Sequence, residues 1–269
     1  MAALPGFDPT VPNDARILDY ILGGKDNFSV DREAAERVIA LAPDFRMMVA
    51  QGRRFQRRVV RFLVGAGVRQ FIDVACGLLT QGAVHEVAHE VNPRTRVAYV
   101  DNDPVVATHA RALLKGNPLT AFVASDMRDT DEMLAELDAT PVIDLREPVA
   151  VLLHAALPLV PEDDLAASIV ERIRTTIAPG SYLGISHAIS DSHPVQTERL
   201  ADLYQDEKIV QGSVRRRNLR TRAEVSLYFA HLDLVEPGIV NFPLWRPEPD
   251  DPPIDPAAVW AVGGVGRRL

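Results

Sequence analysis

The stretch from Phe71 to Pro104, FIDVACGLLTQGAVHEVAHEVNPRTRVAYVDNDP, reads as strand, tight turn, helix, strand and a second, acidic turn. Phe71-Ile72-Asp73-Val74-Ala75 is short, apolar and β-branched, and it ends at small residues, as a parallel strand buried on both faces should. Thr80 reads as the N-cap of the next helix, in which Val84, Val87, Ala88 and Val91 recur at helical spacing and Asn92-Pro93 is the stop. Arg96 to Val100 returns to strand composition and ends in Asp101, 19 residues after Gly82 and 24 after Gly77. In βαβ nucleotide folds an acidic residue about 20 positions beyond the glycine turn receives ribose hydroxyls, because the tips of the first two strands lie side by side.

Downstream, the strand-helix rhythm continues. Asp103-Pro104 supplies a cap and first helical position, and a third strand, Thr120 to Ala124, delivers Ser125-Asp126-Met127 to its carboxyl end. Val149 to Leu153 is the most apolar strand and is expected at the centre, with His154 at its tip. Asp163 or Asp164 caps a helix carrying Leu165, Ile169, Ile173 and Ile177, and strand Tyr182 to Ser186 ends at His187. Residues 188–220 interrupt the rhythm with a polar helix and a basic run from Arg215 to Arg220, before a Thr221/Glu224 capping box and two closing strands, Leu234 to Phe242 and Ala258 to Val262.

Upstream lie three helices. One, with Ala15, Leu18, Ile21 and Leu22, ends at Gly23-Gly24; a second is capped by Asp31; a third runs from Phe45 to Leu63, its Arg53 to Arg58 segment read as a solvated face. The expected architecture is a single α/β domain over residues 1–269: helices in 1–63, then a Rossmann-like core in 64–269 with the 188–220 insertion. Its seven strands form a mostly parallel sheet closed by an antiparallel C-terminal hairpin.

Composition narrows the functional classes. A net charge of -8 argues against general nucleic-acid binding, which depends on cations that neutralise phosphates. Cys76 is the single cysteine, so no intramolecular disulfide exists, and it reads as a packed small residue. The N-terminus lacks a basic and apolar leader, and the apolar run from Val149 to Val160 is broken by His154 and Pro158 and too short to span a bilayer; a cytoplasmic protein without a membrane segment is expected. His85-Glu86-Val87-Ala88-His89 formally matches H-E-x-x-H, but this helix follows the glycine turn and must pack on the sheet, so no metal is expected. Oligomeric state is left open.

The sequence resembles the class I S-adenosylmethionine-dependent methyltransferases, and more narrowly the actinobacterial S-adenosyl methyltransferase family once classed as a domain of unknown function. The narrower resemblance rests on Asp19-Tyr20 with Leu22-Gly23-Gly24-Lys25-Asp26-Asn27-Phe28, Asp31-Arg32-Glu33, Thr80-Gln81-Gly82, Tyr99-Val100-Asp101-Asn102-Asp103-Pro104, Val235-Glu236-Pro237-Gly238 and Pro243-Leu244-Trp245. It implies strand order 3-2-1-4-5-7-6, S-adenosylmethionine as cofactor and an N-terminal helical lid. It further implies that Asp73, Ala75 and Gly77 receive the methionine moiety, Asp101 the ribose, Asn102 the adenine face, and Asp126 and Met127 the adenine edge. Two positions depart from the pattern: Ala75 stands where glycine is usual, and Pro158 where histidine is.

The expected activity is methyl transfer to a small cytoplasmic acceptor, with His154, His187 and Tyr20 as candidate bases and Arg215 to Arg222 as a candidate contact for an anionic acceptor. Two rivals remain at this stage. One is a protein that binds the cofactor without turnover; the other is an NAD-dependent oxidoreductase, which lacks its G-x-G-x-x-G here.

Overall fold

The computed structural model describes residues 8–80, 82–205 and 219–269. Helices α1 (Asp14–Ile21), α2 (Ser29–Leu41) and α3 (Phe45–Gly65) precede an alternating series: β1 (Gln70–Val74), α4 (Val84–Val91), β2 (Arg96–Val100), α5 (Pro104–Leu113), β3 (Thr120–Val123), α6 (Thr130–Asp138), β4 (Ala150–His154), α7 (Asp163–Thr176) and β5 (Tyr182–Ala188). Then come α8 (Pro194–Gln205), α9 (Arg222–Ser226), β6 (Asp233–Leu234), β7 (Val240–Asn241) and β8 (Ala261–Arg267).

The sheet order is β3-β2-β1-β4-β5-β8-β6, with β7 also paired to β8. β1 to β5 are parallel and β8 runs antiparallel to β5 along its whole length, from Tyr182 opposite Arg267 to Ala188 opposite Ala261. This is the expected order with one strand divided and the last one shifted, since the strand expected over 258–262 runs instead from Ala261 to Arg267. Between Leu234 and Val240 the chain leaves the ladder in a turn closed by Gly238 N donating to Val235 O at 2.9 Å, so the strand expected over 234–242 becomes two short ones and the sheet has eight. Pro237 has no N–H to give a ladder there, and Gly238 sits at φ 84.

Because strand side chains alternate, each strand feeds two cores. Ile72, Val74, Val151 and Leu153 join the layer of α6 and α7, whereas Phe71, Tyr99, Ala150 and Leu152 face the N-terminal helices. The second set is the one whose next members are Asp73, Asp101 and His154, so the period of 2 aims all three at α3. Phe55 of α3 is fully buried there, its ring 5.1 Å from that of Phe242, 5.5 Å from Trp245 and 5.4 Å from His154. Gly263 of β8 has no side chain because a Cβ would overlap the Phe55 ring.

The Arg53–Arg58 segment is not a uniformly solvated face. Arg58 is buried and donates to Trp245 O (2.8 Å), Phe242 O (2.6 Å) and the Asp251 carboxylate (2.6 Å), fastening the proline-rich loop to α3. Only Arg54 and Arg57 of the segment are exposed, while Arg53 turns inward.

The N-terminal helices are held by buried carboxylates. Asp31 is not the N-cap of α2, which starts at Ser29. Asp31 instead accepts from Phe28 N (2.8 Å), Asn13 N (3.0 Å) and Arg16 Nε (2.8 Å), so that one carboxylate fixes the start of α2 and the start of α1. Asp19 accepts from Asp26 N (2.8 Å), Asn27 Nδ2 (2.9 Å) and Thr80 Oγ1 (2.8 Å). A Cβ at Gly24 would overlap the Asp19 carboxylate, which explains the glycine in Gly23-Gly24-Lys25. Asp31→Ala is expected to leave the Arg16 guanidinium buried without its carboxylate and to cost about 3–5 kcal/mol; urea unfolding, read at the midpoint, is the check.

Candidate active site

The carboxyl ends of β1 to β5 open onto a cavity of about 490 Å³ roofed by α1, α3 and α8. It lies where the strand order reverses between β1 and β4, the crevice in which open α/β sheets bind ligands. Asp73, Ala75, Gly77, Asp101, Asn102, Asp126, Met127, His154 and His187 all line it, but Tyr20 does not. The Tyr20 hydroxyl donates to Glu36 (2.8 Å) and its ring carries the Arg46 guanidinium, so it faces α2 and α3 rather than the cavity.

The turn after β1 is shaped by its backbone. Ala75 has φ 54 and Gly77 φ 63, left-handed values that are routine for glycine and unusual for alanine. Gly77 N donates to Asp101 Oδ2 at 2.9 Å, and Cys76 N donates to Val100 O at 3.2 Å, so the turn is strapped to the tip of β2. Burial pushes the Cys76 thiol well up, which leaves it inert as a nucleophile. Thr80 is not a helix cap: α4 begins four residues later, with Ala83 N held by Glu86, and Thr80 instead ties the turn to Asp19 of α1.

Asp73 is 4 % exposed, and burial, opposed by the nearby Arg53 and reinforced by Asp101, raises its carboxyl to about 7. Gln56 Nε2 donates to it at 3.4 Å, and among the described residues no cation lies within ion-pair distance. Asp101 is also raised, chiefly by burial, although Gly77 N and Asp103 N donate to it. Asp126 behaves oppositely: Arg128 grips it through Nε and Nη2, Asn102 Nδ2 donates at 2.7 Å, and its carboxyl falls to about 2. With Arg128 N donating as well, at 2.9 Å, four donors meet the Asp126 carboxylate, so an amino group would reach it by displacing one of them.

The two histidines are unlike each other. His187 Nδ1 donates to Ala188 O at 2.5 Å, and Arg220 Nη1 stands 3.4 Å from its Nε2, so the ring is committed to packing. Both ring nitrogens of His154 are buried with no hydrogen-bond partner among the described residues, and burial followed by the field of Arg53 lowers it to about 3. Arg220 is no free anion contact either, since it donates to Leu157 O, Val160 O and Asp163. Arg222 donates to Ile239 O and Asn241 Oδ1; Arg215, Arg216 and Arg217 lie outside the described residues.

Arg53 is the residue that the sequence reading missed. It lines the cavity, donates to Gln56 Oε1 at 3.1 Å, and acts electrostatically on both Asp73 and His154. Its i, i+3 spacing from Gln56 was the available signal, hidden inside a run of arginines. Ala75→Gly is expected to relieve a left-handed alanine while loosening the unfolded chain, for a net gain of about 0.5–1 kcal/mol; a chemical denaturation curve showing a loss instead would contradict the left-handed turn.

Comparison with known proteins is consistent along the whole chain. The profile of the S-adenosyl methyltransferase family matches residues 2–269. A candidate methyltransferase from Thermobifida fusca YX is 38% identical, with a TM-score of 0.87 over 98% of this chain and 97% of that one. A DUF574 family protein from Streptomyces avermitilis is 35% identical, with a TM-score of 0.88 over 97% and 99% of the two chains. An O-methyltransferase family protein from Burkholderia thailandensis, 15% identical with a TM-score of 0.50 over 84% of this chain and 59% of that one, shares the fold. None of the curated proteins matches significantly. The family, and with it S-adenosylmethionine as the cofactor, accounts for both the sheet order and the acidic strand tips: the chain belongs to the S-adenosyl methyltransferase family.

Proposed function

We propose that the protein transfers the methyl group of S-adenosylmethionine to a small-molecule acceptor in the cytoplasm. The observation that carries this reading is Asp73, a buried carboxylate raised to about 7 with no described cation paired to it, at the strand tip where an ammonium would be received. An unpaired buried carboxyl is costly in its charged form, and a bound cation removes that cost.

The residues present suit the cofactor. Asp73 would hold its ammonium, Arg53 its carboxylate and Asp101 its ribose hydroxyls, while the backbone of Ala75 and Gly77 and the side chain of Met127 would form the walls. When bound, the cofactor supplies a methyl group on a sulfonium that is already a strong leaving group. The chain therefore has mainly to orient an acceptor and exclude water. Of the three candidate bases His154 is retained. With a pKa of about 3 it stays neutral and serves as a hydrogen-bond acceptor rather than as a store of protons. The committed ring of His187 and the position of Tyr20 outside the cavity argue against those two.

One rival keeps a specific observation in its favour. The Cβ of Ala75 in the turn and the low basicity of His154 would suit a protein that binds the cofactor without turnover. Release of S-adenosylhomocysteine with a panel of small metabolites separates the two readings. The nicotinamide alternative loses its support with the family assignment.

Calorimetry tests binding. The wild type is expected to bind S-adenosylmethionine, and absence of heat at about millimolar ligand would overturn the reading; Asp101→Ala should weaken binding by about tenfold or more through its lost hydrogen bonds. Only the ionised form of Asp73 attracts an ammonium, so affinity should be full above its pKa of about 7 and fall as pH drops through it. Between about pH 8 and about pH 6 the loss is about tenfold for a single group of this kind, and Asp73→Asn should flatten the profile.

A further inference from the structure

We propose that the acceptor is an uncharged, flat, apolar molecule bearing a hydroxyl group, held against an aromatic and aliphatic wall with that hydroxyl on His154. This deepens the methyltransferase reading and rests on it for which part of the cavity the cofactor takes.

Beyond the acidic tips, the cavity is walled by Phe45, Met48 and Val49 of α3, Leu200 of α8, and Phe242 and Trp260. The rings of Phe45 and Trp260 lie 6.0 Å apart at 39°, and Phe242 stacks on Phe55. Faces of this kind favour a planar apolar guest. Gly52 belongs to the same wall, where a Cβ would make an ordinary van der Waals contact with the Phe242 ring at 3.4 Å.

Among the described residues Arg53 is the one guanidinium that α3, α8, β4 or β5 adds to the cavity, and in the reading above the cofactor's carboxylate takes it. The described acidic residues lining the cavity come from α1 and from the tips of β1, β2 and β3, and none comes from α3, α8, β4 or β5. Those four elements therefore offer no carboxylate to a cationic acceptor. Arg220 and His187, the polar groups nearest an anion's needs, are spent on Asp163, backbone carbonyls and each other. Thr197 donates to His193 O at 2.9 Å and to Pro194 O at 3.0 Å, and Ser186 Oγ accepts from Ala155 N at 3.1 Å.

That leaves His154. Its ring nitrogens, one donor and one acceptor in the neutral form, are buried at the cavity wall without described partners. A buried polar atom of this kind is costly until a partner arrives, and a hydroxyl supplies either complement. Methylation at that hydroxyl forms one O–C bond as the sulfonium C–S bond breaks, the bonding pair staying on sulfur, and the hydroxyl proton is released to water.

Equilibrium dialysis of the full chain against four probes of one shape tests this: naphthol, naphthalene, naphthoate and naphthylmethylamine. Naphthol should bind about tenfold more tightly than naphthalene, the worth of one buried hydrogen bond, and more tightly than both charged analogues. His154→Ala should remove the naphthol advantage while leaving naphthalene binding in place, and His154→Gln should restore part of it. Equal or tighter binding of the anion or the cation, an advantage that survives His154→Ala, or no binding of any probe would overturn the proposal. S-Adenosylmethionine binding is measured in parallel on the same protein: its loss would sink the methyltransferase reading, whereas its persistence without probe binding would sink this inference alone.

Discussion

The reversal of strand order between β1 and β4 is the constraint on which the rest depends. The chain builds β1, β2 and β3 outward in one direction and then returns to place β4 on the other side of β1. Helices following β1 and β4 consequently leave in opposite directions, and a gap remains above the strand tips. Parallel register sets the tips of β1, β2 and β4 at one height, and the period of 2 selects which residue at each tip looks into the gap. Asp73, Asp101 and His154 meet for that reason, although they are far apart in the chain.

An open gap would leave buried polar groups with no defined neighbours, and the N-terminal helices close it. Three side chains of one short helix region do most of the fastening: Asn13 reaches Asp103, Arg16 reaches Asp31, and Asp19 holds both the Gly24–Asn27 loop and Thr80. The roof is thus attached to the segments that follow β1 and β2 by charge-assisted hydrogen bonds rather than by apolar packing alone. α3 contributes a continuous apolar face beneath, and from that face Arg53 and Gln56 enter the site.

Electrostatics then divide the cavity. Acidic tips crowd one end, where burial raises Asp73 and Asp101, while Asp126 is kept ionised by Arg128. The other end is mainly aromatic and aliphatic, and there, among the described residues, the His154 imidazole is left without a partner. A charged ligand suits the first end and an uncharged one the second.

Much of this was legible in the residues from Phe71 to Pro104. Local signals, the buried strand, the glycine turn and the acidic residue spaced behind it, are set by short-range sterics and periodicity, and they pointed to a mostly parallel sheet with Asp73 and Asp101 near strand tips, whereas the strand order was implied by the family resemblance. The division of the last strand region was less legible, because Pro237 and Gly238 act only against a β8 that arrives from residues 261–267. Thr80 and Asp31 read as caps from their neighbours in sequence, and Asp31 does take Phe28 N at the start of α2, yet its other partners, Asn13 and Arg16, and Thr80's partner Asp19 belong to α1 and its N-cap, which only tertiary packing brings near. The same holds for Tyr20, His187 and Arg220, whose residue types suggested chemistry and whose contacts commit them to the framework. Sequence determines which groups are available and which face of an element they share; the tertiary structure decides which of them are left unpaired, because pairing depends on neighbours from remote parts of the chain.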